Sequence, residues 1–175
     1  LLIGAVVIFI SNSSEALDGL RTLLAGPVED GMLGIGRVLY YAVPIIMTGL
    51  SVGFAFKTGL FNIGTPGQFI IGAFAAVYVG VKWTFLPGSI HWLVAILAAF
   101  AAGGLWAVIP GVMKAYLNVN EVISSIMMNY IGMYLVNYSV SLVLFDALRN
   151  QSLPVASTAV IPKMGFDKIF TGSPA

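Results

Sequence analysis

Apolar residues run along this chain in long blocks, separated by short stretches rich in polar residues, glycine and proline. Block length, more than any alternation of side chains, defines the elements. The clearest block runs from Val38 to Phe56 and is bracketed by Arg37 and Lys57, close to the roughly 20 residues a helix needs to cross a hydrocarbon core. Pro44 sits inside it and frees a backbone carbonyl that a neighbouring helix must satisfy. Gly49 and Gly53 form a GxxxG face for close helix approach. Further spans are expected at 92–112 and 122–145. In the former, Ala99, Gly103, Ala107 and Gly111 repeat at every fourth position as a small-residue stripe, and Pro110 is expected to kink its end.

Between the first two full spans lies TGLFNIGTPGQ, residues 58–68, followed by an apolar stretch to Val81 that is too short to cross by itself. Gly59, Gly64, Pro66 and Gly67 argue against a regular helix here. Irregular backbone at membrane depth survives only against protein or a water-filled cavity, so 60–81 is expected to be a broken or re-entrant element with Gly64, Pro66 and Gly67 making the break. The alternative is a loop wholly outside the bilayer.

The remaining segments are expected to be connections. Residues 1–10 read as the last half of a truncated transmembrane helix, a signal peptide being the alternative. Asn12 and Glu15 have capping spacing, and Leu17, Leu20 and Leu24 alternate with Asp18, Arg21 and Thr22 as in a short amphipathic helix, at the membrane interface or on an ordinary surface. Gly26, Pro27, Gly31, Gly34 and Gly36 suggest a turn-rich link. Lys82 to His91, flanked by Trp83 and Trp92, suggests an interfacial connection. Lys114 to Glu121 reads as a polar hinge in which Asn120 and Glu121 cap the next helix and Glu121 pairs with Lys114. Residues 146–175 read as an extended polar loop. The fold class is therefore all-α: a polytopic transmembrane bundle with a broken segment, forming one partial transmembrane domain over 1–175.

Composition supports lipid as the main solvent. Of 175 residues, 59% are hydrophobic and 9% charged, against about 25% charged in soluble domains, and mean hydropathy is +0.98. A net charge of +1 without a dense basic cluster argues against a nucleic-acid partner. With no Cys and one His, neither thiol chemistry nor a His-based metal site is expected. Phosphate-loop, zinc-helix and nucleophile-elbow motifs are all missing, so no catalytic residue is assigned. The polar residues of 122–145 are costly against lipid and are expected to face other helices or an aqueous path.

Three stretches carry a resemblance: PIIMTGLSVGFAFKTGLFNIGTPGQFIIGAFAA (44–76), GGLWAVIPGVMKAYLNVNEVISSIMMNYIGMYLVNY (103–138) and LPVASTAVIP (153–162). With FNIGxxGQ and NEVIxxIMxNYI in this order, the chain resembles the permease subunits of bacterial ABC nucleoside importers, relatives of ribose, simple-sugar and branched-chain amino acid permeases. It departs from that pattern at Thr65-Pro66, where the family often has a small residue and Glu. The resemblance implies a multi-pass protein of the bacterial inner membrane, a fragment of a larger permease whose ATPase-docking segment lies beyond residue 175. Implied partners are a second permease subunit, a cytoplasmic ATP-binding subunit holding ATP and Mg, an extracytoplasmic substrate-binding lipoprotein and membrane lipid; this chain itself holds no cofactor and hydrolyses nothing.

A nucleoside path needs polar groups for the sugar and flat apolar surfaces for the base. Phe61, Asn62, Gln68, Asn129, Tyr130, Tyr134 and Asn137 have that chemistry, although Asn and Tyr on membrane helices also serve as packing contacts. The resemblance places 11–36 and 146–175 outside and Lys114 inside, whereas the count of Lys and Arg favours the reverse. A ribose-type ABC permease, an ion-coupled secondary carrier and a purely structural membrane subunit are the alternatives.

Overall fold

The computed structural model describes residues 2–11, 16–163, 165 and 168. The expected capping pair Asn12 and Glu15 lies outside the described residues, as does much of the segment after Lys163. The chain is built from helices and divides into two compact units, 1–46 with 163–175, and 47–162.

In the first unit, α1 (Leu2–Ser11) packs on α2 (Ala16–Glu29), and α3 (Met32–Lys57) begins after a two-residue turn. This corrects the turn-rich link expected over 26–36. Gly26 and Pro27 lie in the last turns of α2, and Gly34 and Gly36 are buried in the first turns of α3. Isolated glycines cost a helix only about 1 kcal/mol each. The chain breaks at Gly31, where φ is +58°. Arg37 meets Asp30 at 3.2 Å, an exposed ion pair.

The second unit contains the end of α3, then α4 (Thr65–Lys82), α5 (Gly88–Leu117) and α6 (Glu121–Val143). α3, α5 and α6 are long and apolar enough to cross a membrane; the 18 residues of α4 fall short of the usual span. α4 lies against both α5 and α6. A Cβ on Gly72 would lie 3.0 Å from the Ala99 carbonyl oxygen, and one on Gly103 would lie 3.1 Å from that of Gln68, so α4 packs on the Ala99 and Gly103 part of the stripe expected on α5, while a Cβ on Gly111 would meet nothing within 4 Å. On the GxxxG face, a Cβ added to Gly49 or Gly53 would meet nothing within 4 Å among the described residues. Large apolar side chains such as Phe100, 81% exposed, point away from the unit, as in a helix solvated by lipid or further helices.

Two connections are shorter than expected. α4 and α5 are joined by 83–87 alone, because Ser89, Ile90 and His91 continue the helix started after Pro87. α5 runs through Lys114 to Leu117, leaving only Asn118, Val119 and Asn120 as the link. Asn118 takes a left-handed conformation (φ +49°) that Asn tolerates well, and Asn120 caps α6 by accepting from the Val122 N–H at 2.9 Å. The loop after α6 is structured: Phe145–Asp146 (β1) pairs antiparallel with Gln151–Ser152 (β2), and Ser157–Ala159 forms a 3-10 turn against α5. Two-residue strands leave no periodic trace in a sequence.

Residues 153–160 strap the end of α4 to the start of α5. The Ala156 N–H donates to the Gly80 carbonyl at 3.0 Å. His91, fully buried, lies 2.8 Å from Thr158 Oγ1 through Nδ1 and 3.1 Å from the Val79 carbonyl through Nε2. A carbonyl only accepts, so Nε2 carries the proton, and in the neutral ring Nδ1 accepts from the Thr158 hydroxyl.

Candidate functional site

The other end of α4 carries the residues of the FNIGTPGQ motif. α3 stops at Gly59 (φ +80°), whose N–H donates to the Phe56 carbonyl at 3.1 Å while the Leu60 N–H donates to that of Ala55 at 3.0 Å. These two bonds form a Schellman cap, which needs a residue comfortable at positive φ. Phe61 then lies edge to face with Phe56, ring centroids 4.7 Å apart.

Between Gly59 and Thr65 the chain is irregular, and side chains replace the missing ladder. Asn62 Oδ1 accepts from the Gly64 N–H at 2.8 Å. Pro66, in the first turn of α4, has no N–H to satisfy. The Gly67 N–H, one of the donors left open at a helix start, donates to Asn129 Oδ1 at 2.9 Å, and Asn129 Nδ2 donates to the Ile63 carbonyl at 2.8 Å. One amide on α6 thus ties the last part of the irregular stretch to the first turn of α4. Gly67 is required by contact: a Cβ there would lie 2.8 Å from Asn129 Oδ1 and 2.9 Å from Asn129 Cα. Trp106 reinforces the approach by donating Nε1–H to the Met128 carbonyl at 3.3 Å.

The expectation that Pro66 and Gly67 interrupt the helix is therefore corrected. The break is Thr58–Gly64, and Pro66 and Gly67 open α4, where proline is favoured. Thr65, at the position that departs from the family pattern, is buried, and its hydroxyl has no hydrogen-bond partner among the described residues.

A cleft of about 110 Å³ opens beside this junction, at the end of the unit where α3 and α5 finish and α4 and α6 begin. Leu60, Phe61, Asn62 and Pro110 line it, with Ser125, Lys114 and Glu121. Lys114 Nζ meets Glu121 Oε2 at 2.9 Å with both side chains partly exposed, and the Ser125 hydroxyl donates to the Glu121 carbonyl at 2.6 Å. Among the described residues no group of three or more His, Asp or Glu could hold a metal ion.

Of the residues expected on a substrate path, Phe61 and Asn62 line the cleft. Asn129 sits at the junction with both ends of its amide engaged, and Gln68 lies in the first turn of α4 close to Gly64. Tyr130, Tyr134 and Asn137 are exposed along α6 and do not line the cleft. Sequence reasoning anticipated the Asn120 cap and the Lys114–Glu121 pair but did not place that pair on a cleft wall. It missed His91 as a buried anchor, though a lone histidine beginning an apolar helix was a usable signal.

A family model described as the branched-chain amino acid transport system / permease component matches residues 34–164. The chain is 45% identical over 143 residues to a guanosine ABC transporter permease protein of Bacillus subtilis, covering 82% of this chain and 40% of that protein. It is 41% identical over 105 residues to a glucose ABC transporter permease protein of Haloferax volcanii, covering 60% and 27% respectively. A nucleoside ABC transporter permease protein of Lactococcus lactis is 34% identical over 100 residues, 57% of this chain and 28% of that protein. The chain thus spans about two fifths or less of each of these relatives. No solved structure matches it. Membrane-length helices, a short α4 entered through a pinned break, and a family match over most of the chain agree: this multi-pass membrane protein belongs to the branched-chain amino acid transport system / permease component family.

Proposed function

We propose that the full-length protein is the membrane-spanning permease subunit of an ABC importer that carries nucleosides across the bacterial inner membrane. The observation that carries this reading is the 45% identity to a guanosine permease over 82% of the chain. It works with a second permease subunit, a cytoplasmic ATP-binding subunit that binds ATP and Mg, and an extracytoplasmic substrate-binding lipoprotein. In this reading the end bearing Lys114 faces the cytoplasm, and the start of α4 with its cleft is this chain's part of the path. Phe61 and Asn62 are the candidates for direct substrate contact there; Gln68 and Asn129 lie at the junction beside it.

The identity to a glucose permease favours one second reading, a simple-sugar permease of the same architecture. Uptake of labelled guanosine and of ribose into cells carrying the full-length gene, with intact or ATPase-inactive partner, separates the readings. Guanosine uptake that disappears with the inactive ATPase is expected. Uptake of ribose alone would replace the nucleoside reading, and guanosine uptake that follows an ion gradient instead would overturn the ABC mechanism.

A further inference from the structure

The geometry points to the cleft beside the α4 start as a subsite for the sugar ring of the cargo, with the Lys114–Glu121 ion pair reading its vicinal hydroxyls. This rests on the nucleoside reading and assigns one part of it to named atoms.

Size limits the occupant first. A cleft of about 110 Å³ is smaller than the roughly 150 Å³ cavity that accommodates benzene, so it encloses only part of a nucleoside, such as the hydroxyl-bearing edge of its sugar. The base then remains outside, or over the half-exposed Phe61 at the rim.

Chemistry limits it further. A carboxylate offers several acceptor sites and an ammonium three donors, so the single 2.9 Å contact between Lys114 and Glu121 leaves both groups capacity for further bonds. A carboxylate accepting from ribose hydroxyls is a recurring recognition device. Asn62 adds a donor: its Oδ1 is taken by the Gly64 N–H, while its Nδ2 has no partner among the described residues. The cleft wall thus offers a carboxylate acceptor, an ammonium and an amide donor against the apolar surfaces of Leu60 and Pro110. Ionisable side chains in membrane segments sit where protein or an aqueous cavity solvates them, and a partly exposed ion pair at a cleft meets that condition.

The pair also has a structural duty, since it ties the end of α5 to the start of α6 across a three-residue link. Comparing ligands separates the duties. Glu121→Gln keeps the size of the side chain but removes its charge and one acceptor oxygen, so a structural loss weakens every ligand alike and a lost hydroxyl contact weakens only ligands that carry the hydroxyls; Gly104→Ala, where an added Cβ meets nothing within 4 Å, is the control.

The experiment is equilibrium binding of labelled guanosine to the full-length permease with its ATPase in nanodiscs, without the binding lipoprotein, so that discrimination belongs to the permease. Guanosine and 2′,3′-dideoxyguanosine serve as competitors. The expected result is that Glu121→Gln weakens guanosine roughly tenfold, the scale of one charge-assisted hydrogen bond, and dideoxyguanosine less than twofold, while Gly104→Ala leaves both unchanged. Equal weakening of both competitors, an unchanged preference, or no displaceable guanosine binding at millimolar concentration overturns the subsite. These outcomes are distinct from failure of the nucleoside reading, which appears as loss of guanosine uptake in the unmodified transporter. If that transporter carries ribose instead, the same variants compared on ribose and 2-deoxyribose decide the subsite.

Discussion

The two ends of α4 are both fastened by polar side chains reaching across the fold, but for different ends. At its start, Asn129 satisfies a donor and an acceptor that an irregular stretch has left open, and the fastening borders a charged cleft. At its finish, fully buried His91 meets the exposed Thr158 and clamps a strap onto regular helix. The first arrangement makes irregular backbone tolerable inside a membrane protein; the second adds stability to backbone that is already paired. Polar residues in apolar helices thus divide into those that permit a break and those that tighten a contact.

Substitutions should reveal that division, and the largest effect is expected at Gly67. Gly67→Ala sets a Cβ within 2.9 Å of Asn129 Cα, where backbone and not a flexible side chain must move. A loss of about 3 kcal/mol and a sharp fall in folded, membrane-inserted protein are expected, measured by thermal unfolding in detergent; wild-type stability would show that α4 and α6 are not in close contact. Asn129→Ala comes next. It leaves the Gly67 N–H and the Ile63 carbonyl without partners, costing about 2 kcal/mol, whereas Asn129→Asp, which can still accept from Gly67, is expected to cost less.

At the other end Thr158→Val removes the partner of His91 Nδ1. It is expected to cost about 1 kcal/mol and to speed proteolysis within 153–162; unchanged cleavage would mean that the strap is held by its backbone contact to Gly80 alone. The smallest effect is expected at Gly104, where an added Cβ meets nothing within 4 Å. Gly104→Ala should leave stability within about 0.5 kcal/mol, and a larger loss would reveal a neighbour packed on that face in the full protein.

Much of this was legible before any coordinates. The Val38 to Phe56 block, the small-residue stripe from Ala99 and the Asn120 cap depend on local spacing, which a sequence displays directly. The broken element was also recognisable, because glycine and proline cluster in 59–67. Its boundary was less so: Pro66 reads as a breaker, yet a helix start tolerates it, and only backbone geometry distinguishes the two. Gly34 and Gly36 misled for the same reason, since a glycine ends a helix when its φ requires it, as at Gly31 and Gly59. Asn129 was legible as a polar residue on a membrane helix, but its hold on the start of α4 was not, because polarity shows in a sequence and partnership does not; its partners lie 62 and 66 positions away. His91 was passed over because its partner Thr158 is 67 positions away, in a segment that read as an extended polar loop.

The most direct test of the account compares transport per surviving molecule in the two fastenings. Full-length protein carrying Asn129→Ala or Thr158→Val would be assayed for ATP-dependent guanosine uptake, normalised to folded permease in the membrane. The account predicts that Asn129→Ala slows uptake per molecule several-fold while Thr158→Val lowers abundance and leaves the rate per molecule unchanged. Equal rates per molecule in both variants, or a slower rate in Thr158→Val alone, would contradict the assignment of the α4 start to the transport path.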